Sequence, residues 1–430
     1  MLPVLITNIA IMSVHLSDTM MTGHVNSVEL AGVSVAGNIY MPFFVTCIGI
    51  VSGLSPVIAH LHGKGDGAEI RRVVRQSFYW AFLLGLSGSL LLYLIVPPLL
   101  DRLDLEPRVW EVALAYSQVM MVCLPVSMLM IGMREFMNAL GCTRITMLIT
   151  GLTAPLNILF NYVFIFGWGP VAAMGGVGAA YGTLAAFCTG LVIHCLVVGQ
   201  MAPFTGYRIF ASLPNPQPQE WPQALKIGLP IGLAMLSETS IFGAMGLFIA
   251  TYGTLIVGAS QAAFSVTSML YAVPMSCSIA LTILVGFELG AGQPKDAEAY
   301  IRIGQRVSLL AAVVLIGAVM ALRYEVAALF TNEPELLSLI AGFVVYAALM
   351  NAADALNAPL QGALRGYKDV QPVLVLSIIS FWVVGMPLGW ILAEMLGQGA
   401  YGYWQGVITG LFLGFALLAV RIKKVRAKYR

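Results

Sequence analysis

Apolar residues run through this chain in long stretches separated by short polar breaks. No Asp, Glu, Lys or Arg occurs between Ile145 and Tyr207, or between Thr239 and Phe287. A bilayer-spanning helix needs about 20 apolar residues, so each run holds at least two spans. Punctuation by charge, Gly and Pro predicts twelve helices: 2–22, 29–61, 73–99, 109–133, 145–167, 174–200, 227–252, 255–288, 304–330, 336–364, 370–394 and 400–420. The expected fold is all-α and polytopic, because a backbone in lipid must satisfy its own hydrogen bonds within helices. The longest polar linker joins helices 6 and 7 and carries Pro214-Asn215-Pro216-Gln217-Pro218. The expected organisation is an N-lobe over 1–200, a cytoplasmic linker over 201–226 and a C-lobe over 227–430.

Composition excludes a soluble alternative. Of 430 residues, 59% are hydrophobic and 10% are charged, against roughly 25% charged in a typical soluble chain. The net charge of +2 gives no case for a nucleic-acid partner. The six cysteines form no CxxC pair and read as small core residues. The start lacks the basic n-region of a secretory signal, and Asp18 interrupts its apolar run. With the N-terminus placed in the cytoplasm, nineteen of the 22 Lys and Arg residues fall on the cytoplasmic side, leaving Arg102, Arg108 and Arg323 outside. The positive-inside rule then puts both termini in the cytoplasm.

The two halves repeat. Leu2-Pro3 matches Leu229-Pro230, Leu30 through Ala36 matches Val257 through Ala263, and Gly63-x-Gly65 matches Gly290-x-Gly292, all 227 apart. Gly175, Gly178 and Gly182 match Gly399, Gly402 and Gly406, 224 apart, and Gly141 is set opposite Gly366. Six helices per half is an even number, so the repeats run parallel. They are expected as two six-helix lobes related by a pseudo-twofold axis along the membrane normal, which is a transporter architecture.

Three acids lie well inside apolar spans: Asp18, Glu238 and Asp354. A charge at the bilayer centre costs about 2.5–3.5 kcal/mol or more, so such residues mark function. On the repeat register they face Met245, Ile11 and about Leu129, so the shared scaffold does not require them. Rise per residue sets Asp18 at the depth of Asn157 and Asn161, which are four apart and share a helix face. This trio is a candidate proton or cation site. Glu238 and Asp354 match each other in depth, with Asn351 one turn before Asp354. Two carboxylates and an amide suit a hard cation such as sodium, or a shared proton. Glu135, Glu288 and Glu394 sit at span ends as solvated carboxylates, while His15 and His194 read as polar packing residues. No cofactor is expected.

Ser17-Asp18-Thr-Met-Met-Thr-Gly23 with Leu30-Ala-Gly-Val resembles the helix 1–2 signature of the MATE multidrug and toxin extrusion antiporters. Ser55-Pro56-Val-Ile-Ala59 with Gly63-x-Gly65, Asp354 through Gln361-Gly-Ala-Leu-Arg-Gly-Tyr-Lys-Asp369, and Gly399-Ala-Tyr-Gly-Tyr-Trp-Gln-Gly406 resemble its helix 2, 10 and 12 motifs. Glu238 together with Asp354 resembles the NorM-like branch. The resemblance implies an inner-membrane exporter of small organic cationic or amphipathic substrates, monomeric and surrounded by lipid, driven by inward sodium or protons. It implies coupling through Asp18, Asn157 and Asn161 in the N-lobe and cation binding by Glu238 and Asp354 in the C-lobe. Two departures stand out. The short basic segment that usually precedes helix 1 is missing, so a truncated start is expected, and Met350 stands where an aromatic is often found.

A lipid-linked saccharide flippase of the same superfamily is the alternative. It would need Arg or Lys in the cleft for pyrophosphate, whereas all 22 basic residues can be placed at membrane boundaries or in loops. A membrane enzyme would need a metal-ligand, nucleophile or phosphate-loop pattern, and the sequence carries none. A helical channel fits two unlike lobes less well than alternating access does.

Overall fold

Twelve helices long and apolar enough to cross a membrane occupy the described residues. They are α1 (Leu2–Gly23), α2 (Ser27–Gly63), α3 (Gly67–Leu100), α4 (Pro107–Ala139), α5 (Thr143–Phe166), α6 (Gly176–Gln200), α7 (Trp221–Tyr252), α8 (Thr254–Gly290), α9 (Pro294–Ala321), α10 (Pro334–Gly366), α11 (Val370–Met395) and α12 (Ala400–Ala427). The structure is a computed structural model that describes residues 1–211 and 215–429, without the side chains of His15 and Leu16. Pro214 of the linker motif, and the His15 side chain read above as polar packing, thus lie outside the described residues.

Each predicted span corresponds to one helix, with three local differences. Helix α2 is interrupted at Gly53, between segments Ser27–Ser52 and Leu54–Gly63. The ninth span ends early, at Ala321, and a separate short helix, Arg323–Ala328, follows. Helix α11 widens into π-helical turns at Ile379–Gly385 and Ile391–Met395. Sequence periodicity does not register such single-residue insertions.

The chain divides into two compact units. The first is Leu2–Gly232, and the second begins at Leu233 and runs to Arg430. The division falls inside α7, where the second unit begins six residues beyond the expected start of the C-lobe at 227. Glycine explains why. A Cβ on Gly232 would lie 2.6 Å from the Thr46 carbonyl oxygen, and one on Gly53 would lie 2.6 Å from the backbone nitrogen of Gly228. Backbones this close require residues without side chains, the usual device of helix contact in lipid. The first turns of α7 therefore pack on α2.

The linker also belongs to the first unit. Arg71 Nε donates to the Tyr207 carbonyl at 2.6 Å, while Arg75 donates to the carbonyls of Ile209 at 2.8 Å and Arg208 at 2.5 Å. The Gln76 amide donates to the Asn215 carbonyl at 3.1 Å and accepts from Gln217 N at 2.9 Å and Trp221 Nε1 at 3.1 Å. Phe204 is fully buried against Phe136.

In the second unit, α8 and α10 pack closely, with Gly362 against the Ser278 backbone and Gly366 against Val285. An apolar core of α7, α8, α10 and α12 residues includes Phe343, Trp404 and Met350.

Backbone conformation reproduces the repeat. Gly65 and Gly292 both take positive φ, +72° and +74°, in the turns after α2 and α8. Gly175 and Gly399, before α6 and α12, have φ/ψ of 59/−139° and 59/−145°. Only glycine adopts these values freely. One pairing needs correction. Gly141 has φ +79° and follows α4, but Gly366 is still helical, and Lys368, at φ +60°, takes the matching position after α10. The offset there is again 227, so the counterpart of Asp354 is Ser127 and not Leu129.

Candidate functional site

In the first unit, α1, α5 and α6 bring three of the singled-out residues together. The Asn161 amide nitrogen donates to Asp18 Oδ1 in a short hydrogen bond and to Asn157 Oδ1 at 3.1 Å. Asn161 and Asn157 are buried. Pro155, two residues before Asn157, lacks an N–H and relieves α5 of one backbone bond there. The Asn161 side chain is fixed by the absence of another. A Cβ on Gly182 would overlap Asn161 Oδ1, and one on Gly178 would strike the backbone at Phe164 and Ile165. The repeat glycines of α6 thus set the position of the α5 amides. One polar atom here, Asn161 Oδ1, is buried without a hydrogen-bond partner in the protein. Thr183 faces Asp18 from α6, and Tyr116 of α4 lies within electrostatic reach of the same carboxylate. Neither was found from sequence. Thr183 adjoins Gly182, and that neighbourhood was the available signal.

The second unit holds the other cluster. Glu238 of α7 and Asp354 of α10 are near enough for the charge of one to act on the other. Asp354 is 6% exposed and Asn351, one turn earlier, is 0% exposed. Neither amide atom of Asn351 has a hydrogen-bond partner. A buried, unsatisfied amide costs about 1–3 kcal/mol. Carboxylate and amide oxygens are the donor types that a hard cation takes.

Tyr271 of α8 lies within reach of both acids. Arg365, placed at the membrane boundary from sequence, does sit in the last turn of α10, but it is half-buried and its charge reaches Glu238 and Tyr271. One basic group therefore stands closer to the acids than the sequence indicated. Met350 is fully buried in the apolar core and adds no polar group.

The remaining polar residues tie helices together. Glu29, at 5% exposure, accepts from Gly176 N at 2.8 Å and from Arg108 Nη2 at 2.9 Å, joining α2, α6 and α4. Glu394, read as a solvated carboxylate, is exposed but accepts from the Tyr252 and Tyr403 hydroxyls at 2.7 and 3.0 Å. Glu135 is buried beside Arg134 rather than solvated. His194 is buried with Nδ1 2.7 Å from the Gly190 carbonyl. The helix 12 motif serves packing. Tyr401 stacks on Phe343 at 4.3 Å, Trp404 Nε1 donates to Ser260 at 3.1 Å, and Gly402 lies against the Ala393 backbone.

Comparison with known proteins places this architecture. The MatE family model matches residues 3–163 and again 230–391, with start points separated by the same 227 residues as the repeat. The chain is 36% identical to the probable multidrug resistance protein NorM of Oceanobacillus iheyensis, with 100% of this chain and 96% of that protein covered. It is 35% identical to the probable multidrug resistance protein NorM of Bacillus subtilis, covering 100% and 95%. Among solved structures, the eukaryotic MATE transporter AtDTX14 superposes with a TM-score of 0.90 at 19% identity, over 100% of this chain and 96% of that one. A MATE transporter crystallised in the straight conformation gives 0.88 at 20% identity, over 99% and 95%. These two likenesses speak for the fold. The double family match and the full-length relatives speak for more: the chain belongs to the MATE family of multi-pass membrane transporters that carry out multidrug efflux.

Proposed function

We propose that this protein exports small organic cationic or amphipathic substrates across the inner membrane by alternating access, with both termini in the cytoplasm. Export is driven by inward movement of sodium ions or protons. Asp18 with Asn157 and Asn161 forms the coupling site of the first unit. Glu238 and Asp354, with Asn351 as a further oxygen donor, form the cation site of the second. The observation that carries this reading is the pair of separate groups of carboxylates inside apolar helices, each with a buried asparagine amide atom lacking a partner. Carboxylates in such a setting persist when a bound cation or proton compensates them.

A thermal-unfolding measurement in detergent tests the second site. Sodium that binds only the folded state stabilises it by mass action, so the wild-type midpoint should rise with sodium. Glu238→Gln and Asp354→Asn should each lose most of that rise, because loss of one ligand weakens binding by about 10- to 100-fold. Potassium at equal ionic strength should give no shift. If sodium and potassium act alike on the wild type, the sodium site is wrong, and proton coupling through Asp18 becomes the better account.

A further inference from the structure

One end of the second unit carries more positive charge than its own carboxylates take up. Asp369 binds Arg421 through two bonds, from Nε at 2.6 Å and Nη2 at 2.7 Å. Glu298 lies 3.5 Å from Arg426 Nη1. These pairs hold the last turns of α12 against the α10–α11 turn and the start of α9. Ala297 and Ile301 of α9 share a buried apolar cluster with Ile422 and Val425 of α12. The Tyr429 ring packs on Tyr367 at 5.3 Å. The end of α12 is therefore an ordered edge of the unit and not a loose tail.

Further cations stand on this edge outside those two pairs. Arg302 and Arg306 of α9, Lys423 and Lys424 of α12, and Lys428 just after it are all exposed. None of them takes part in an ion pair among the described residues.

Their neighbours show what they meet. Toward the middle of each helix the exposed side chains are apolar: Ile303 at 54%, Leu310 at 67% and Val420 at 54%. In a membrane protein a face of this kind meets acyl chains. Arg302 and Arg306 alternate with that face, and Lys423 and Lys424 follow it directly. Long basic side chains lay their stems along apolar surface and lift their charged heads to the headgroup layer. Anionic headgroups attract such clusters, with about 1 kcal/mol, roughly fivefold in binding, per basic residue.

We infer that the start of α9 and the end of α12 form a binding surface for an anionic phospholipid. Arg302 and Arg306 present planar forks to its phosphate oxygens, the lysines supply the surrounding positive potential, and the apolar faces beside them receive the acyl chains. A zwitterionic lipid has the same phosphate, but its own ammonium group offsets the attraction.

The test measures lipid retained by the purified full-length protein in native mass spectrometry, after equal exposure to phosphatidylglycerol and phosphatidylcholine. Wild type should retain phosphatidylglycerol preferentially. Arg302→Gln/Arg306→Gln and Lys423→Gln/Lys424→Gln should each weaken that retention on the order of tenfold. Arg302→Lys/Arg306→Lys should keep more of it than the glutamine pair. Arg102→Gln, a basic residue elsewhere on the chain, should leave it unchanged, and inorganic phosphate should not compete. Equal retention of the two lipids by wild type, or wild-type retention by both glutamine pairs, overturns the inference. Competition by phosphate overturns it too, by reducing the surface to an anion site without lipid contacts. A normal melting profile for each glutamine pair confirms that folding is intact, and these positions are exposed enough to expect one.

Discussion

Asp18 shows how a single side chain is held ready by groups that the sequence alone hardly marks. Its carboxylate is bound by the Asn161 amide, which also reaches Asn157. Asp18→Asn keeps the volume and removes the charge. Efflux should collapse in proteoliposomes while expression and melting temperature stay near wild type, and wild-type transport at every pH tested would remove the residue from the coupling step. Gly182→Ala is a subtler probe, because the added methyl has no room beside Asn161. Overpacking of this kind costs about 1–3 kcal/mol. The variant should melt several degrees lower and lose transport, although it touches no charged group. The three acids inside apolar spans and the asparagine pair were legible because polar groups in an apolar run have few bland explanations. Thr183, Tyr116 and Tyr271 were not, since hydroxyls are common in membrane helices and depth estimates do not resolve which face they occupy. The orphaned Asn351 amide could be placed by spacing, but its lack of a partner is visible only in three dimensions.

Among the elements, the twelve helices were legible throughout and their interruptions were not. The break at Gly53, the π turns of α11 and the short Arg323–Ala328 helix depend on what packs nearby. The helix 10 and helix 12 motifs prove to be mostly scaffold. Gly362 and Gly366 seat α10 on α8, Lys368 makes the turn, and Asp369 grips Arg421. Only Asp354 of that stretch enters the candidate site. The sequence marks the linker only as a polar, proline-bearing stretch, yet Arg71, Arg75 and Gln76 of α3 bind six backbone or indole groups along it and into α7. Arg75→Leu would strand the Ile209 carbonyl, at about 1–3 kcal/mol for a buried acceptor left unpaired, and would leave the Arg208 carbonyl with only its bond from Ala211 N. Limited trypsin digestion should then cut near Arg208 faster than in wild type, and an unchanged cleavage rate would contradict the clasp.

For the whole molecule, the repeat links sequence, backbone and family. The offset of 227 recurs in residue matches, in the positive-φ turns and in the two family matches. The acids break that symmetry, since Asp18 faces Met245 and Asp354 faces Ser127. The scaffold is thus made twice and carries different acids in each copy. The proposed orientation makes its own prediction. A cysteine placed at exposed Lys64, between α2 and α3, should resist impermeant thiol reagents added outside intact cells, and strong labelling would invert the topology. The most direct test of the account is substrate efflux from proteoliposomes under sodium and proton gradients imposed separately. Wild type should run on at least one gradient, Asp18→Asn on neither, and Glu238→Gln or Asp354→Asn should lose the sodium-driven component. Undiminished transport by all three variants under both gradients would show that coupling does not pass through these carboxylates and would contradict the account.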